Sequence, residues 1–305
     1  MVIRIGIVGV GKIARDQHIP VLDASPDFDL VTAASRHGRI EHGVTHTTIE
    51  EMLAAEEIDA VSLCQPPQVR FEAARLAIAA GKHVFLEKPP GATLSEVDLL
   101  HALARDKGVT LFASWHSRYA AGVETARAWL AGKTLRSVHV EWKEDVRHWH
   151  PGQAWIWEAG GMGVFDPGIN ALSIATAILP GFFLTHGVLE IPANRASPIA
   201  ADLHFTDAAG TPIRAEFDWR QTGPQTWDIK AETDAGTLVL SKGGSELRID
   251  GVEQTLAPEA EYRGLYDRFA ALIAAGESDV DVAPLRHVAD AYLRAERRQV
   301  AAFED

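Results

Sequence analysis

The opening residues Ile3–Ala14 have the sequence IRIGIVGVGKIA. The first six are mostly apolar and predict a buried strand, and they run directly into a G-x-G-x-x-A pattern that opens an expected helix. Glycines at such a junction allow a tight turn and the close approach of a pyrophosphate to the helix N-terminus. The pattern therefore favours a dinucleotide-binding turn over a chance glycine-rich loop. The residues expected to contact the dinucleotide are Gly9, Gly11, Lys12, Ile13 and Ala14.

The next predicted strand, Leu30–Ala34, ends in Ser35-Arg36-His37 and carries no carboxylate there. In NAD-specific folds an acidic side chain at this point binds the ribose 2′-hydroxyl. Without it a 2′-phosphate is not repelled, and the Arg36 guanidinium can stack on the adenine and pair with the phosphate. The alternative is that Arg36 is a solvated charge at a strand end. NADP is therefore the preferred cofactor and NAD the second choice, with Ser35, Arg36 and His37 as binding residues.

Strand and helix signals alternate as far as residue 119. Thr48–Glu51 and Thr93–Glu96 have the capping-box form that starts a helix, and Gly81 and Gly108 are typical helix stops. Further strands are expected at Ala60–Cys64, Val84–Leu86 and Val109–Ala113. This alternation predicts the α/β class, with a doubly wound parallel sheet of about five strands. It defines a dinucleotide-binding Rossmann domain over residues 1–119.

Beyond about residue 120 apolar and polar residues alternate singly. The clearest runs are Val138–Trp142, Ile213–Trp219 and Trp227–Ala231. Turn signals such as Asp234-Ala235-Gly236 separate them. They predict a substrate-binding α+β domain over residues 120–283 with a large, open, mostly antiparallel sheet of unlike faces. A final helix is expected over about residues 284–302, with the option of packing back on the first domain.

Composition narrows the class of protein. The 305 residues are 47% hydrophobic and 23% charged, as in ordinary globular proteins, and the length favours two domains. A formal net charge of −13 argues against nucleic acid or an anionic membrane as a partner. Cys64 is the only cysteine, which excludes an intrachain disulfide and cysteine-rich zinc sites. With no apolar run of about 18 residues and no signal-peptide pattern, we expect a cytoplasmic enzyme or binding protein.

The stretch Glu87–Gly91 has the sequence EKPPG and follows the apolar run Val84–Leu86. Ligands of open α/β sheets bind at the carboxyl ends of the strands, so a lysine held there by prolines is placed to act as an acid or base. The alternative for a single lysine is a solvated surface charge. The preceding strand ends similarly, at Gln65-Pro66. The residues expected beside the cofactor are Gln65, Pro66, Glu87 and Lys88.

A second cluster of chemically active residues follows the first alternating run. Glu144 stands where an apolar residue is expected. The residues after it include His148, Trp149, His150, Trp155 and Trp157. Tryptophan rings stack on the C–H faces of sugars and polar side chains bond the hydroxyls, so this composition suits a carbohydrate. The alternative is an aromatic edge of the core. His148 and His150 could suggest a metal site, but the hydride transfer that a dinucleotide cofactor performs requires no metal.

A glycine-rich run, Gly160–Gly163, leads through Asp166 and Asn170 into an apolar helix. If the helix already covers Asp166 and Asn170, their side chains share one face. The alternative is that Asp166 caps the helix, with Pro167 at its first position.

Together these motifs resemble the glucose–fructose oxidoreductase / inositol dehydrogenase (Gfo/Idh/MocA) family over essentially the whole chain. The residues that carry the resemblance are the G-x-G-x-x-A turn, Glu87-Lys88-Pro89, and the glycine-rich run into Asp166 and Asn170. The segments that look like family members oxidising L-arabinose or D-galactose are Ser35–His37, Glu87–Gly91, Trp115–Arg118, Trp142–Asp145, Trp149–Gly152 and Phe165–Asn170. This resemblance implies oxidation of the anomeric carbon C1 of an aldopyranose to a lactone with NAD(P)+.

The resemblance also implies roles for particular residues. The family usually has a titratable histidine where this chain has Asn170, so we expect Lys88 to be the proton acceptor, with Asp166 as the second choice. Asn170 then positions the sugar and the lysine. Many members also have histidine at the position of Arg70. The residues expected to bind the sugar are His116, Glu144, Trp149 and His150.

Two other functions fit the same motifs. One is a non-catalytic sensor in which a bound dinucleotide or sugar regulates transcription, and the other is a dehydrogenase of a non-sugar cyclic substrate. Lys88, Asp166 and Asn170 occurring together favour an enzyme. An aldose is therefore the expected partner, without nucleic acid or membrane, and the resemblance suggests a homodimer through the open sheet face.

Overall fold

The computed structural model describes residues 2–304. This part of the chain separates into two compact units. The first unit contains the residues up to His116 together with Tyr262–Val282. The second contains Ser117–Glu261 together with the residues from Ala283 onward. The polypeptide therefore leaves the first unit, returns to it once, and leaves it again.

Regular elements alternate in the first unit, whereas strands dominate the second. The strands of the described residues are β1 Ile3–Val8, β2 Phe28–Ala34, β3 Val44–His46, β4 Ala60–Leu63, β5 His83–Leu86, β6 Leu111–Ala113, β7 Leu135–Lys143, β8 Phe182–Pro192, β9 Ala200–Asp207, β10 Pro212–Asp218, β11 Thr226–Thr233, β12 Gly236–Ser241, β13 Glu246–Ile249, β14 Val252–Glu253 and β15 Glu296–Val300. The α-helices are α1 Ile19–Asp23, α2 Ile49–Ala55, α3 Arg70–Ala79, α4 Leu94–Lys107, α5 Val123–Leu130, α6 Val146–Trp149, α7 Phe165–Ile178, α8 Glu261–Ala275 and α9 Ala283–Arg294.

Within residues 2–304, the first unit holds a parallel sheet of six strands in the order β3-β2-β1-β4-β5-β6. The order reverses at β1, and the crevice outside the carboxyl ends of β1 and β4 is where such sheets bind ligands. The predicted doubly wound parallel sheet is confirmed. The expected strand number is wrong by one, because β3 was missed. Its three residues are too few to show a strand pattern in the sequence, and they form a strand by pairing with β2.

Helix ends in the first unit follow local signals. Thr48 caps α2 in a full capping box, in which its side chain accepts from the Glu51 N–H and the Glu51 carboxylate accepts from the Thr48 N–H. Gly108 ends α4 in the left-handed conformation, with φ 66°. A glycine has no Cβ penalty there. Both predicted boundaries are confirmed.

The core of the first unit lies between its sheet and the surrounding helices. Leu63 and Leu86 from neighbouring strands pack in one cluster with Ile78 of α3 and Leu100 of α4. Val84 and Leu111 in the same cluster are fully buried. The strands are covered on their faces, which explains why their sequences are continuous apolar runs. None of the helices in the described residues is long and apolar enough to cross a membrane.

In the described residues the second unit contains a nine-stranded sheet in the order β14-β13-β12-β11-β7-β10-β9-β8-β15. The pairs β7–β10 and β8–β15 are parallel, and the other neighbours are antiparallel. Val138, Val140 and Trp142 on β7 are buried, whereas His139 and Glu141 between them are partly exposed. The predicted mostly antiparallel sheet with unlike faces is confirmed.

Helix α7 lies close against the buried face of the second sheet. A Cβ built on Gly168 of α7 would lie 3.0 Å from the ring of Phe217 on β10. A larger side chain would push the helix and the strand apart, so the glycine permits their contact. This packing places the first turns of α7, which carry Asp166 and Asn170, against the sheet.

The end of the chain corrects two expectations. The predicted helix over residues 284–302 is too long, since α9 ends at Arg294 and Glu296–Val300 is a strand that pairs with β8. Pairing with an open sheet edge overrides local helix propensity there. Helix α9 belongs to the second unit, and Tyr262–Val282, which was expected in the second domain, belongs to the first.

Candidate active site

The glycine-rich turn of the first unit is tied to the end of β2. Gly9 has φ 91°, and a Cβ there would lie 3.0 Å from Gln65 Cγ. The Gly9 N–H donates to the Ala34 carbonyl over 2.9 Å. The Ser35 hydroxyl oxygen accepts from the Val10 N–H over 3.3 Å and from the Gly38 N–H over 3.1 Å. The two loops expected to bind the dinucleotide are thereby fixed to each other.

Three structural observations indicate that the glycine-rich turn can bind a dinucleotide. Open space lies beside Gly11, where a Cβ would meet no atom within 4 Å, so a phosphate can approach the backbone. The Gln65 Oε1 atom is buried yet has no hydrogen-bond partner among residues 2–304, as expected of a group that awaits a ligand. Ala14 is buried at the start of the helical turn. The side chains left exposed are Lys12, Ile13, Arg36, His37 and Pro66.

Glu87 is the centre of a buried hydrogen-bond network at the end of β5. Its Oε1 atom accepts from the Tyr262 hydroxyl over 2.7 Å and lies 3.3 Å from His18 Nε2. The other ring nitrogen of His18 lies 2.7 Å from the Tyr266 hydroxyl, which lies 2.7 Å from the Ser62 hydroxyl. Glu87 is only 3% exposed. A buried carboxylate is tolerated because its oxygens are bonded in this way.

The network sets the protonation of its members. Burial alone would raise the pKa of Glu87, but the hydrogen bond and charge of His18, followed by the charge of His116, lower it from 4.5 to about 2. Burial disfavours a charge on His18, yet Cys64 and Tyr266, followed by the bond to the carboxylate, raise the pKa of this imidazole well above 6.5. Glu87 and His18 therefore form a buried ion pair near neutral pH.

Lys88 follows directly and is half-buried at the carboxyl end of β5. Its backbone N–H donates to the Glu87 carboxylate, and the Lys88–Pro89 peptide bond is cis. The carbonyls of Glu87 and Pro89, on either side of Lys88, accept from the buried Arg70 guanidinium. The lysine backbone is thus bonded from two directions. These bonds fix the point at the end of β5 from which the lysine side chain extends.

His116 and Tyr262 stand at two points where the chain crosses between the units. Within the first unit their rings stack, with centroids 5.4 Å apart and planes 16° from parallel. Trp115 donates its indole N–H to the Asp281 carbonyl over 2.9 Å. His116 is therefore held next to the Glu87 network, since the Tyr262 hydroxyl bonds Glu87.

In the second unit Glu144 lies just beyond β7 and is 4% exposed. Its two oxygens accept from different indole N–H groups, Oε1 from Trp219 over 3.1 Å and Oε2 from Trp227 over 2.9 Å. Each carboxylate oxygen can accept more than one hydrogen bond. The two tryptophans therefore orient the carboxylate.

Asp166 and His150 come together in the same unit. Helix α7 begins after Val164, so it includes both Asp166 and Asn170, and the predicted shared face is confirmed. The alternative, in which Asp166 caps the helix, is not observed. Asp166 is 5% exposed, and its Oδ2 atom lies 3.4 Å from Nε2 of His150. A carboxylate so placed can orient the imidazole.

Aromatic rings of the second unit pack in a row that runs from an exposed tryptophan to a buried one. Trp149 is 37% exposed, and its ring centroid lies 5.3 Å from that of Trp227. Trp227 in turn stacks on the buried Trp142 at 6.0 Å. His150 packs on Trp219 at 5.3 Å. An exposed tryptophan fixed on a rigid aromatic base suits stacking on a sugar ring.

The residues expected from the sequence thus fall into two groups. The first unit brings Gly9, Gln65, Glu87, Lys88 and His116 onto neighbouring strand ends, and the second unit holds Glu144, Trp149, His150, Asp166 and Asn170. Sequence reasoning missed His18, Tyr262 and Tyr266, and it noted Arg70 only as a departure from the family pattern. Tyr262 and Tyr266 recur at helical spacing, but nothing local indicates that α8 packs against β5. In the part of the chain that the structure describes, no group of three or more His, Cys, Asp or Glu side chains is arranged to hold a metal ion.

The six-stranded parallel sheet and its glycine-rich turn define a dinucleotide-binding protein. Residues 3–114 match the profile of the GFO_IDH_MocA group, described as "Oxidoreductase family, NAD-binding Rossmann fold". A galactose 1-dehydrogenase from Pseudomonas fluorescens is 47% identical over 306 residues, which span 99% of either chain. The chain belongs to the Gfo/Idh/MocA family.

Solved structures agree with this assignment. The crystal structure of a D-galactose-1-dehydrogenase from Rhizobium etli has a TM-score of 0.96 and 65% identity, and the match covers 99% of this chain and 98% of the other. A 3-ketoreductase from Actinomadura kijaniata, solved with NADP and TDP-benzene, has a TM-score of 0.85 over 98% of this chain and all of the other, with 19% identity. The latter likeness concerns the fold alone.

Proposed function

We propose that this protein is a sugar dehydrogenase that oxidises the anomeric carbon of D-galactopyranose or L-arabinopyranose to the lactone, with NADP+ preferred over NAD+. The observation that carries the proposal is the placement of Lys88, which is half-buried at the carboxyl end of β5. Its backbone is held by hydrogen bonds to Arg70 and to the Glu87 carboxylate. The relatives described above as galactose 1-dehydrogenases support the choice of sugar. A cytoplasmic location and a homodimer through the open face of the second sheet remain predictions.

In this mechanism a bound nicotinamide cofactor would supply the acceptor for the hydride that leaves C1 of the sugar. Lys88 takes the proton of the C1 hydroxyl, so that the carbonyl of the lactone forms as the hydride leaves. Glu87 and Arg70 keep the lysine backbone in place. Asp166 is the alternative proton acceptor. The glycine-rich turn at Gly9 and Gly11 would hold the cofactor phosphates.

The sugar is recognised by residues with complementary chemistry. Glu144, oriented by two indoles, accepts hydrogen bonds from sugar hydroxyls, and His150 is oriented for the same task by Asp166. Trp149 packs on the sugar ring. Asn170 and His116 supply further polar contacts. Buried polar groups of this kind discriminate between sugar epimers, because a misplaced hydroxyl leaves a group unpaired.

A panel of aldoses tests the proposal directly. L-arabinopyranose and D-galactopyranose share their configuration at C2 to C4, whereas D-glucose is inverted at C4. We expect NADP+ reduction with the first two sugars, and a kcat/KM for D-glucose at least about tenfold lower, because one lost hydrogen bond costs about 1–3 kcal/mol. Absorbance of the reduced cofactor provides the measurement. If no aldose is oxidised with either cofactor, the proposal fails and a sensor or a non-sugar dehydrogenase takes its place.

The cofactor preference has its own test in Arg36→Ala. Only NADP+ carries the 2′-phosphate, so removal of the guanidinium should weaken NADP+ binding and leave NAD+ binding nearly unchanged. The loss of a charged hydrogen bond, about 1.5–3 kcal/mol, corresponds to roughly 10- to 150-fold in Kd. Titration of both cofactors measures it, and the nearby exposed Arg39→Ala serves as the control. Equal weakening of NADP+ and NAD+ binding would show that Arg36 does not contribute to the cofactor preference.

A further inference from the structure

Arg70 begins helix α3 and is 2% exposed. Its Nη1 atom donates to the carbonyls of Glu87 and Pro89, and its Nη2 atom donates to the carbonyl of Gln65. Burial lowers the pKa of Arg70 to about 10, although the charge of Glu87 opposes this shift. The guanidinium therefore stays cationic at neutral pH.

The carbonyls that Arg70 bonds lie at two neighbouring strand ends. Gln65 follows β4, while Glu87 and Pro89 flank Lys88 after β5. The planar guanidinium offers donors in a fixed fork and can hold several acceptors at set directions, which an ammonium group cannot do. The Lys88 N–H, on the other side, donates to the Glu87 carboxylate. Arg70 thus couples the position of Lys88 to that of Gln65.

A contribution to stability alone does not explain why a buried arginine occupies this position. A buried charge is expensive, and an apolar side chain of similar volume often stabilises a core as well or better. The Nε atom of Arg70 is buried and has no acceptor among the described residues. Arg75, one and a half turns further along α3, shows the ordinary alternative. It is partly exposed and forms a two-bond pair with Glu72.

We propose that Arg70 is a positioning residue, which acts on catalysis by holding the Lys88 backbone and the Gln65 backbone in register at the two strand ends. The inference rests on the proposed dehydrogenase function, in which Lys88 is the proton acceptor. Misplacement of a reacting group by about 1 Å can cost on the order of 100-fold in rate. Loss of Arg70 should therefore act on the chemical step rather than on sugar binding.

The first test compares Arg70→Ala with the control Arg75→Ala, using D-galactose and NADP+. We expect kcat of Arg70→Ala to fall by about 10- to 100-fold, with KM for the sugar within about threefold of wild type. Guanidinium ion at low millimolar concentration fills the space left by the side chain and should restore kcat in Arg70→Ala only. Wild-type kcat in Arg70→Ala would overturn the proposal. So would a fall in kcat that comes with an equally large rise in KM and is not restored by guanidinium.

The second test needs no turnover. Hydrogen exchange of the Lys88 amide, followed by mass spectrometry or NMR in the cofactor-free protein, should accelerate at least about tenfold in Arg70→Ala and slow again with guanidinium. Unchanged exchange contradicts the positioning role. If Arg70→Ala does not fold, Arg70→Lys replaces it, since it keeps the charge without the fork, and wild-type kcat and exchange in that variant would also overturn the proposal. A wild-type protein that oxidises no aldose would refute the dehydrogenase function, while the exchange experiment would still decide the role of Arg70.

Discussion

Lys88→Met is expected to lower kcat for D-galactose oxidation by about 10² to 10⁴, because the chemical step loses the group that accepts the hydroxyl proton. Methionine has a similar length and no titratable atom, and the backbone bonds to Glu87 and Arg70 involve main-chain atoms that the substitution leaves in place. NADP+ affinity should therefore stay close to that of the wild type. Steady-state kinetics and a cofactor titration measure the two quantities separately.

Lys107→Met provides the matched control, since this lysine is exposed in the last turn of α4. Its kcat should equal that of the wild type. Retention of more than about a tenth of kcat by Lys88→Met would contradict a role as the proton acceptor. Asp166 would then become the principal candidate, and Asp166→Asn should show the loss instead.

The second large effect concerns the Glu87 network. Glu87→Gln should lower the free energy of unfolding at neutral pH by about 3–5 kcal/mol, because His18 would be left as one half of a buried ion pair. The acid dependence should change as well. The pKa of Glu87 is lowered from 4.5 to about 2, so its stabilisation is complete above 4.5 and is lost as the pH falls toward 2. That loss amounts to about 3 kcal/mol in the wild type and should be absent in the variant.

Urea unfolding at a series of pH values between 7 and about 2.5 measures both effects. The exposed Glu50→Gln on α2 is the control, and its unfolding free energy should stay within about 0.5 kcal/mol of wild type. His18 adds an effect of opposite sign on the alkaline side. The pKa of His18 is raised above 6.5, so its share of the stabilisation is complete below that value and is lost as the pH rises through the raised pKa. An identical acid profile in the wild type and Glu87→Gln would contradict the ion pair.

Much of the fold was predictable from local sequence. The strand that runs into Gly9 and Gly11, the capping box at Thr48 and the glycine stop at Gly108 depend on residues within one or two turns of each other. The alternation along β7 records which face is buried, because side chains of a strand point to opposite sides. Lys88 was identifiable for the same reason, since strand and lysine are adjacent in sequence. The roles of Lys88, Asp166 and Asn170 remain predictions.

What only the tertiary structure decided involves partners far apart in the chain. The bond between Tyr262 and Glu87 joins residues 175 positions apart, and the contact between His18 and Tyr266 spans 248. No periodicity encodes such a pairing, which depends on where α8 packs. The final strand Glu296–Val300 is likewise decided by the open edge of β8, with which it forms backbone hydrogen bonds. Local sequence thus determined the elements and the lysine at the strand end, whereas long-range packing determined the buried charges that hold that lysine in place.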